Sequence, residues 1–126
     1  MSRILVVEDH VGNQTLLKEL LEMQGYDVRS SSDANDIVAT AIRFRPDLIL
    51  MDLRLPGLSG FEAIGLLRAE PATASVRIFA VTAFALAEDE RKARQLGADD
   101  YFSKPLDIPA FLQRVDQALK QQARSH

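Results

Sequence analysis

The chain contains no cysteine, which rules out disulfides and thiolate zinc sites and leaves the redox compartment open. Nor does it contain anything near the ~20 consecutive apolar residues needed to cross a bilayer, and the apolar part of Met1 to Glu8 is too short for a secretory signal. The expectation is therefore a cytoplasmic protein without a membrane partner. It lacks a basic stripe as well: 15 Lys and Arg stand against 18 Asp and Glu, a formal net charge of -3, so direct binding of nucleic acid is not expected. No linker, low-complexity tract or close repeat interrupts the 126 residues, which fit one domain spanning 1–126, with a core over about 3–120 and a fraying tail from Gln121. The sequence leaves open whether this is a complete protein or a piece of a longer one, and the Met1 start and short tail favour the former. Hydrophobic residues at 47% and charged residues at 26% are the composition of a chain that folds on its own.

Short runs of β-branched residues and leucine at Ile4 to Val7, Leu48 to Met51 and Ile78 to Val81 are apolar throughout instead of alternating. Such runs suit strands covered on both faces of a parallel sheet. Between them lie segments of helical period, carried by Leu16, Leu17, Leu20 and Leu21, by Ile37, Val38, Ala41 and Ile42, by Phe61, Ile64 and Leu67, and by Phe111, Leu112, Val115, Ala118 and Leu119. Weaker strands are expected at Asp27 to Ser30 and Asp100 to Phe102. Five strands alternating with five helices predict a doubly wound α/β sheet with right-handed crossovers. Ser59 and Glu62 have capping-box spacing, Asp107 can cap the last helix, and Gly25 and Gly97 can end the first and fourth. The fourth helix, from about Ala85 to Leu96, has mostly alanine at its apolar positions. It should be weakly held, either as an ordinary solvated helix or as a movable element.

In an open parallel sheet, ligands bind beyond the carboxyl ends of the strands. Glu8 and Asp9 follow the first strand, Asp52 ends the third, Thr82 ends the fourth, and Lys104-Pro105 follows the fifth. Clustered carboxylates raise one another's proton affinity unless a cation compensates, and an all-oxygen donor set without His or Cys selects Mg²⁺, with Mn²⁺ as an alternative. A carboxylate beside such a metal can attack phosphorus to form an acyl phosphate. Asp52 is placed to be that nucleophile, Lys104 to supply a positive charge and Thr82 to donate a hydroxyl. A cis Lys104-Pro105 bond would be one way to aim the lysine inward, and the isomer stays open at this stage. Taken singly, each residue has a plainer role: helix cap, turn residue or β-former. It is the set that points to phosphate chemistry. His10, beside Asp9, reads as a surface loop residue and not as a ligand.

The stretches Ile4-Leu-Val-Val-Glu-Asp9, Asp47-Leu-Ile-Leu-Met-Asp-Leu-Arg-Leu-Pro-Gly-Leu-Ser-Gly60, Val81-Thr-Ala83 and Gly97-Ala-Asp-Asp-Tyr-Phe-Ser-Lys-Pro105 closely resemble the receiver domain of two-component response regulators, the CheY-like family. Val81-Thr-Ala-Phe-Ala-Leu86, with Glu8-Asp9 in place of the commoner Asp-Asp pair, resembles DivK-like and other stand-alone or hybrid-kinase receivers. The resemblance implies a sheet of order 2-1-3-4-5 and Mg-dependent phosphoryl transfer to Asp52 from a histidine of a kinase or phosphotransfer protein. It implies Glu8, Asp9, Asp52 and the backbone carbonyl of Arg54 as metal ligands, with Thr82 and Lys104 on the phosphoryl group. Thr82 and Tyr101 would be the switch pair, read by a downstream protein at the face of the fourth helix, fifth strand and fifth helix. Such a protein catalyses only its own phosphorylation and dephosphorylation, as a monomer or a weak phosphorylation-dependent dimer. The bulk of Arg54 and Phe84 is expected to shield an acyl phosphate from water. Two other readings remain open here: a Mg-dependent phosphohydrolase, and a degenerate receiver acting as a scaffold.

Overall fold

The computed structural model of the chain describes residues 1–83 and 86–124. Its elements are β1 (Arg3–Val7), α1 (Val11–Met23), β2 (Asp27–Ser31), α2 (Ile37–Phe44), β3 (Leu48–Asp52), α3 (Gly60–Ala69), β4 (Arg77–Thr82), α4 (Ala87–Leu96), β5 (Asp100–Ser103) and α5 (Ile108–Arg124). The strands form one parallel sheet of order β2-β1-β3-β4-β5, which is the doubly wound fold expected.

The continuous apolar runs hide a strict alternation. Leu5 and Val7 of β1, Ile49 and Met51 of β3, and Ile78 and Ala80 of β4 face one core, closed by α2, α3 and α4. Ile4, Val6, Leu48, Leu50 and Phe79 face the other, closed by α1 and α5. Because successive side chains leave opposite faces of a strand, both sets must be apolar when helices cover both faces. All five residues of β3, the central strand, are buried.

The helices divide less evenly than their sequence pattern implies. Phe61, Ile64 and Leu67 of α3 are all buried, as expected. Leu16 of α1 and Ile42 of α2, by contrast, are 51% and 43% exposed. Each helix seats a narrow line on the sheet, Leu17 and Leu21 in one case and Ile37, Ala41 and Phe44 in the other, and leaves the adjacent apolar position at the rim. α4 buries only Ala93, so the apolar area holding it is small. The predicted Ala85 start lies outside the described residues, and the helix begins at Ala87.

The caps follow the sequence. Ser59 Oγ accepts from the Glu62 N–H at 3.2 Å and Glu62 Oε1 from the Ser59 N–H at 3.4 Å, completing the box. Asp107 Oδ1 accepts from the Ala110 N–H. Gly25 and Gly97 sit at φ +93° and +123°, where a side chain would be strained. The tail expected from Gln121 is helical as far as Arg124. Good helix formers continue there, and an Asp116–Lys120 pair at 3.0 Å supports the turn before it. Ser125 and His126 lie outside the described residues.

One organising residue escapes any motif. Arg68, near the end of α3, donates Nε and Nη2 to the Gly97 carbonyl (3.0 and 2.8 Å) and Nη1 to the Ala74 and Val76 carbonyls (3.0 and 2.6 Å). Its Nη2 also reaches Asp99 Oδ2 at 3.0 Å, the same oxygen that accepts the Ile78 N–H at 2.8 Å. One guanidinium thus ties the end of α4 and the entry to β4 to α3, using the planar fork that only arginine offers. Arg68→Ala is expected to cost about 2–4 kcal/mol in urea unfolding, with Arg68→Lys recovering only a minor part, because three carbonyls lose the guanidinium donor and Asp99 loses its counter-charge.

Candidate functional site

Four of the five strands, β1, β3, β4 and β5, deliver functional groups at the carboxyl edge of the sheet, and the hydrogen-bond ladder fixes where each emerges. The Glu8 N–H donates to Ser31 O at 3.0 Å, the Leu53 N–H to Val81 O at 3.1 Å and the Lys104 N–H to Thr82 O at 2.7 Å. Gln14 Nε2, from α1, holds the Glu8 carbonyl at 2.9 Å. The Lys104-Pro105 bond is cis.

Lys104 Nζ lies between two strand ends. It donates to Glu8 Oε1 and, at 3.2 Å, to Asp52 Oδ2. The other oxygen of each acid has a backbone donor: the His10 N–H meets Glu8 Oε2 at 3.1 Å and the Arg54 N–H meets Asp52 Oδ1 at 3.0 Å. Glu8 and Asp52 are 2% and 6% exposed, whereas Asp9 stands open to solvent. One carboxylate oxygen from each of Glu8, Asp9 and Asp52 falls within 4.8 Å of the others. Behind Asp52 there is no slack. A Cβ on Gly60 would fall 2.2 Å from the Asp52 carbonyl oxygen and 2.6 Å from Leu53 Cα, so α3 can begin this close to the site only with glycine at its first position.

The charges respond to this crowding. Burial pushes the Asp52 carboxyl up to about 6 and Glu8 adds to the rise, while the Arg54 N–H and Lys104 oppose it. Burial pushes Glu8 up too, but there the Lys104 hydrogen bond, the His10 N–H and the Lys104 charge prevail, and its net shift is downward. Lys104 is held above its ordinary value: burial works against its charge, and its hydrogen bond to Glu8 and the charges of Asp52 and Glu8 outweigh it. Glu8 and Asp52 thus share one cation, and Asp52, at the end of β3, is the less compensated of the two. An oxygen-only donor set with surplus negative charge and an exposed Asp9 fits a hard divalent cation.

The remaining candidates lie around this centre. Thr82 is fully buried at the end of β4, one residue beyond Val81, the register partner of Asp52. Tyr101 is half-buried on β5 opposite Ala80, against the core under α3 and α4. Its hydroxyl is pushed up by burial and by the charges of Asp89 and Glu90 in the first turn of α4. Arg54 offers Asp52 its backbone N–H, while its guanidinium reaches α4 and pairs with Asp89 at 2.8 Å; the expected shielding side chain is drawn toward the helix. Phe84, the other half of that expectation, lies outside the described residues. His10 is no part of the acid cluster: its Nδ1 accepts the Asn13 N–H at 3.2 Å and caps α1. The Arg54–Asp89 contact was not legible in sequence, and the acidic first turn of α4 was its only trace.

Asp52 sets a pH dependence with a definite sign. Its folded value of about 6 lies above the ordinary 3.8, so the folded state holds the proton longer and stability falls as pH rises between them. In chelator, Asp52→Asn should be more stable than the parent by about 1–3 kcal/mol above pH 6, with the gap closing toward pH 4. Urea unfolding across that range measures it, and added Mg²⁺ should narrow the gap at pH 7 by binding the folded parent.

Comparison with known proteins agrees with this geometry. The family model described as the response regulator receiver domain matches residues 4–116. The polar-differentiation response regulator DivK of Brucella anthropi is 37% identical over 112 residues, covering 89% of this chain and 91% of the relative. The DNA-binding dual master transcriptional regulator RpaA of Synechocystis is 37% identical over 124 residues, covering 98% of this chain but 52% of the relative, so the chain spans about half the length of that protein. Among solved structures, the receiver domain of a Pseudomonas aeruginosa sensor histidine kinase, with magnesium coordinated in its active-site cleft, superposes with a TM-score of 0.86 at 37% identity, covering 94% of this chain and 98% of that one. A CheY-like receiver domain protein of Methanospirillum hungatei superposes with a TM-score of 0.92 at 26% identity over 100% and 99% of the two chains. With a family match running from the start of the buried part of β1 into α5 and a fold match over the whole chain, this protein belongs to the response regulator receiver domain family, the phosphoacceptor modules of two-component signalling.

Proposed function

We propose that this chain is a single receiver domain whose Asp52 accepts a phosphoryl group from a phosphohistidine of a histidine kinase or histidine phosphotransfer protein. The observation that carries this reading is the Lys104 cation lodged between Glu8 and Asp52, with open Asp9 beside them. In the transfer, a carboxylate oxygen of Asp52 forms the new P–O bond as the P–N bond breaks to a histidine whose other ring nitrogen is protonated, so the electron pair stays on the ring and an acyl phosphate and a neutral imidazole are left. Asp9 and Asp52, with Glu8 and the Arg54 backbone carbonyl, would hold Mg²⁺ or Mn²⁺, which would neutralise charge on the transferring oxygens. Lys104 supplies a second positive charge at the phosphoryl group, and the Thr82 hydroxyl donates to one of its oxygens. The Arg54 N–H, already on Asp52, keeps the carboxylate oriented.

The output is a change in protein binding. Thr82 moving toward the phosphoryl group leaves room for Tyr101 to turn inward, and the face of α4, β5 and α5 changes its affinity for a downstream protein. This is a bias on an existing equilibrium. The small apolar anchor of α4 and its ion pair to Arg54 favour that face as the one that yields. On this reading the protein has no catalytic turnover beyond its own phosphorylation and dephosphorylation, and it works in the cytoplasm as a monomer or weak phosphorylation-dependent dimer without touching nucleic acid or membrane. None of the helices, among the described residues, is long and apolar enough to cross a membrane. The residue two beyond Asp52 is Arg54, not the second acid a phosphohydrolase of the haloacid-dehalogenase type would use.

Incubated with Mg²⁺ and a small phosphodonor, the parent should gain one phosphoryl group by intact mass and Asp52→Asn none; equal labelling of both would sink the assignment. Tyr101→Ala should take up phosphate as the parent does while losing most of the phosphorylation-dependent gain in partner affinity. Binding titrations with and without phosphodonor decide this, and equal gains in the two proteins would count against Tyr101 as the switch.

A further inference from the structure

The corner of the molecule at the start of β1 and the end of α2 carries positive charge for which phosphoryl transfer has no use. Arg3 opens β1, Arg29 lies on β2 and Arg43 is in the last turn of α2. With Asp27, Thr40 and Phe44 they line an open pocket of about 280 Å³. The guanidinium carbons of Arg3 and Arg29 stand 5.7 and 5.2 Å from the centre of the Phe44 ring, and Arg3 Nη1 donates to the Phe44 carbonyl at 2.9 Å. Phe44 is 7% exposed and belongs to the core under α2, so a fixed ring holds two flexible cations in place.

Three arginines lining one pocket repel one another, and the pocket contains one carboxylate, Asp27, whose nearest approach is 3.8 Å from Arg3 Nε. Among the described residues, Arg29 and Arg43 have no hydrogen bond or ion pair to a protein acceptor. Their forks are open to an oxyanion. A local surplus of positive charge in a chain of net charge -3 points to an anionic visitor.

The backbone beside the pocket narrows the choice. β2 is an edge strand, paired only with β1. The Asp27 N–H donates to Ser2 O, and the Ser31 carbonyl accepts from the Glu8 N–H, so alternate residues of β2 turn toward β1. Val28 and Ser30 therefore turn their backbone groups outward. We propose that this corner docks an extended acidic segment of a partner protein: its carboxylates pair with Arg29 and Arg43, and its main chain adds to β2 at Val28 and Ser30. Nucleic acid fits the surface poorly, because Asp27 and Asp47 interrupt the basic patch and no track of cations continues from it. The corner works independently of Asp52, so the site offers a tether that is always available, whatever the phosphorylation state.

Charged side chains on an edge strand also serve simply to discourage edge-to-edge association, and the test separates the two roles. The full chain, isotopically labelled, is titrated with a blocked oligoglutamate peptide at low ionic strength and followed by NMR. The expected result is saturable shifts at the amides of Val28 to Ser30 and the Nε–H groups of Arg29 and Arg43, with affinity weakened at least ~10-fold in the doubly substituted Arg29→Gln, Arg43→Gln protein. The positions are exposed, and unchanged far-ultraviolet dichroism verifies that the variant is folded. Unsaturable shifts spread over Arg77, Arg91 and Arg114, or equal affinity in parent and variant, would overturn the proposal. So would inorganic phosphate displacing the peptide completely at equal concentration, which marks a small-anion site. Absence of peptide binding together with self-association of Arg29→Gln would leave edge protection as the only role of these arginines.

Discussion

Two carboxylates withdrawn from water at the ends of neighbouring strands cannot both keep their charge unless a cation stands between them, and here that cation is Lys104. The requirement ties together three separate lengths of chain. Glu8 arrives on β1, Asp52 on β3, and the lysine comes from beyond β5 with its backbone N–H on the Thr82 carbonyl. The compensation is incomplete, because burial still lifts Asp52 to about 6 while Glu8 falls. The charge left over lowers the stability of the fold at neutral pH, and the same surplus on an oxygen-only donor set suits a hard dication.

Around this point the fold separates what must be rigid from what can move. β3 is buried along its length, and Arg68 closes the ends of α3 and α4 and the entry to β4. α4, by contrast, rests on one buried alanine and reaches the site loop through the Arg54–Asp89 ion pair. Arg54 is thus in touch with both parts, with its N–H on Asp52 and its guanidinium on the helix. Extra negative charge at Asp52 would thus have a route to the loosest helix through Arg54, beside the Thr82–Tyr101 route proposed above.

How much of this could be read from the sequence follows from the kind of force involved. The central strands were legible because burial on both faces demands uninterrupted apolar runs, and the Ser59–Glu62 box because its hydrogen bonds are local. The convergence of Glu8, Asp9, Asp52 and Lys104 was legible because parallel strands must release their last residues at one edge. The fate of Leu16 and Ile42 was not, since period alone cannot say how wide a line a helix will bury. Arg68 and the Arg54–Asp89 pair were hidden for another reason: long side chains reach partners distant in sequence, and nothing in their neighbours announces it. His10 read as a loop residue because its capping of α1 depends on which ring nitrogen faces the Asn13 N–H.

The tight seat of Gly60 against the Asp52 carbonyl oxygen and Leu53 has a consequence for the position of the aspartate. The start of α3 leaves no room for even a methyl group against that backbone, so the chain beneath Asp52 cannot recede from the sheet edge. The side chain is held at its tip as well, where the Arg54 N–H and Lys104 meet one oxygen each. Anchored at both ends, the carboxylate is a stationary target, and whatever approaches it must carry the motion.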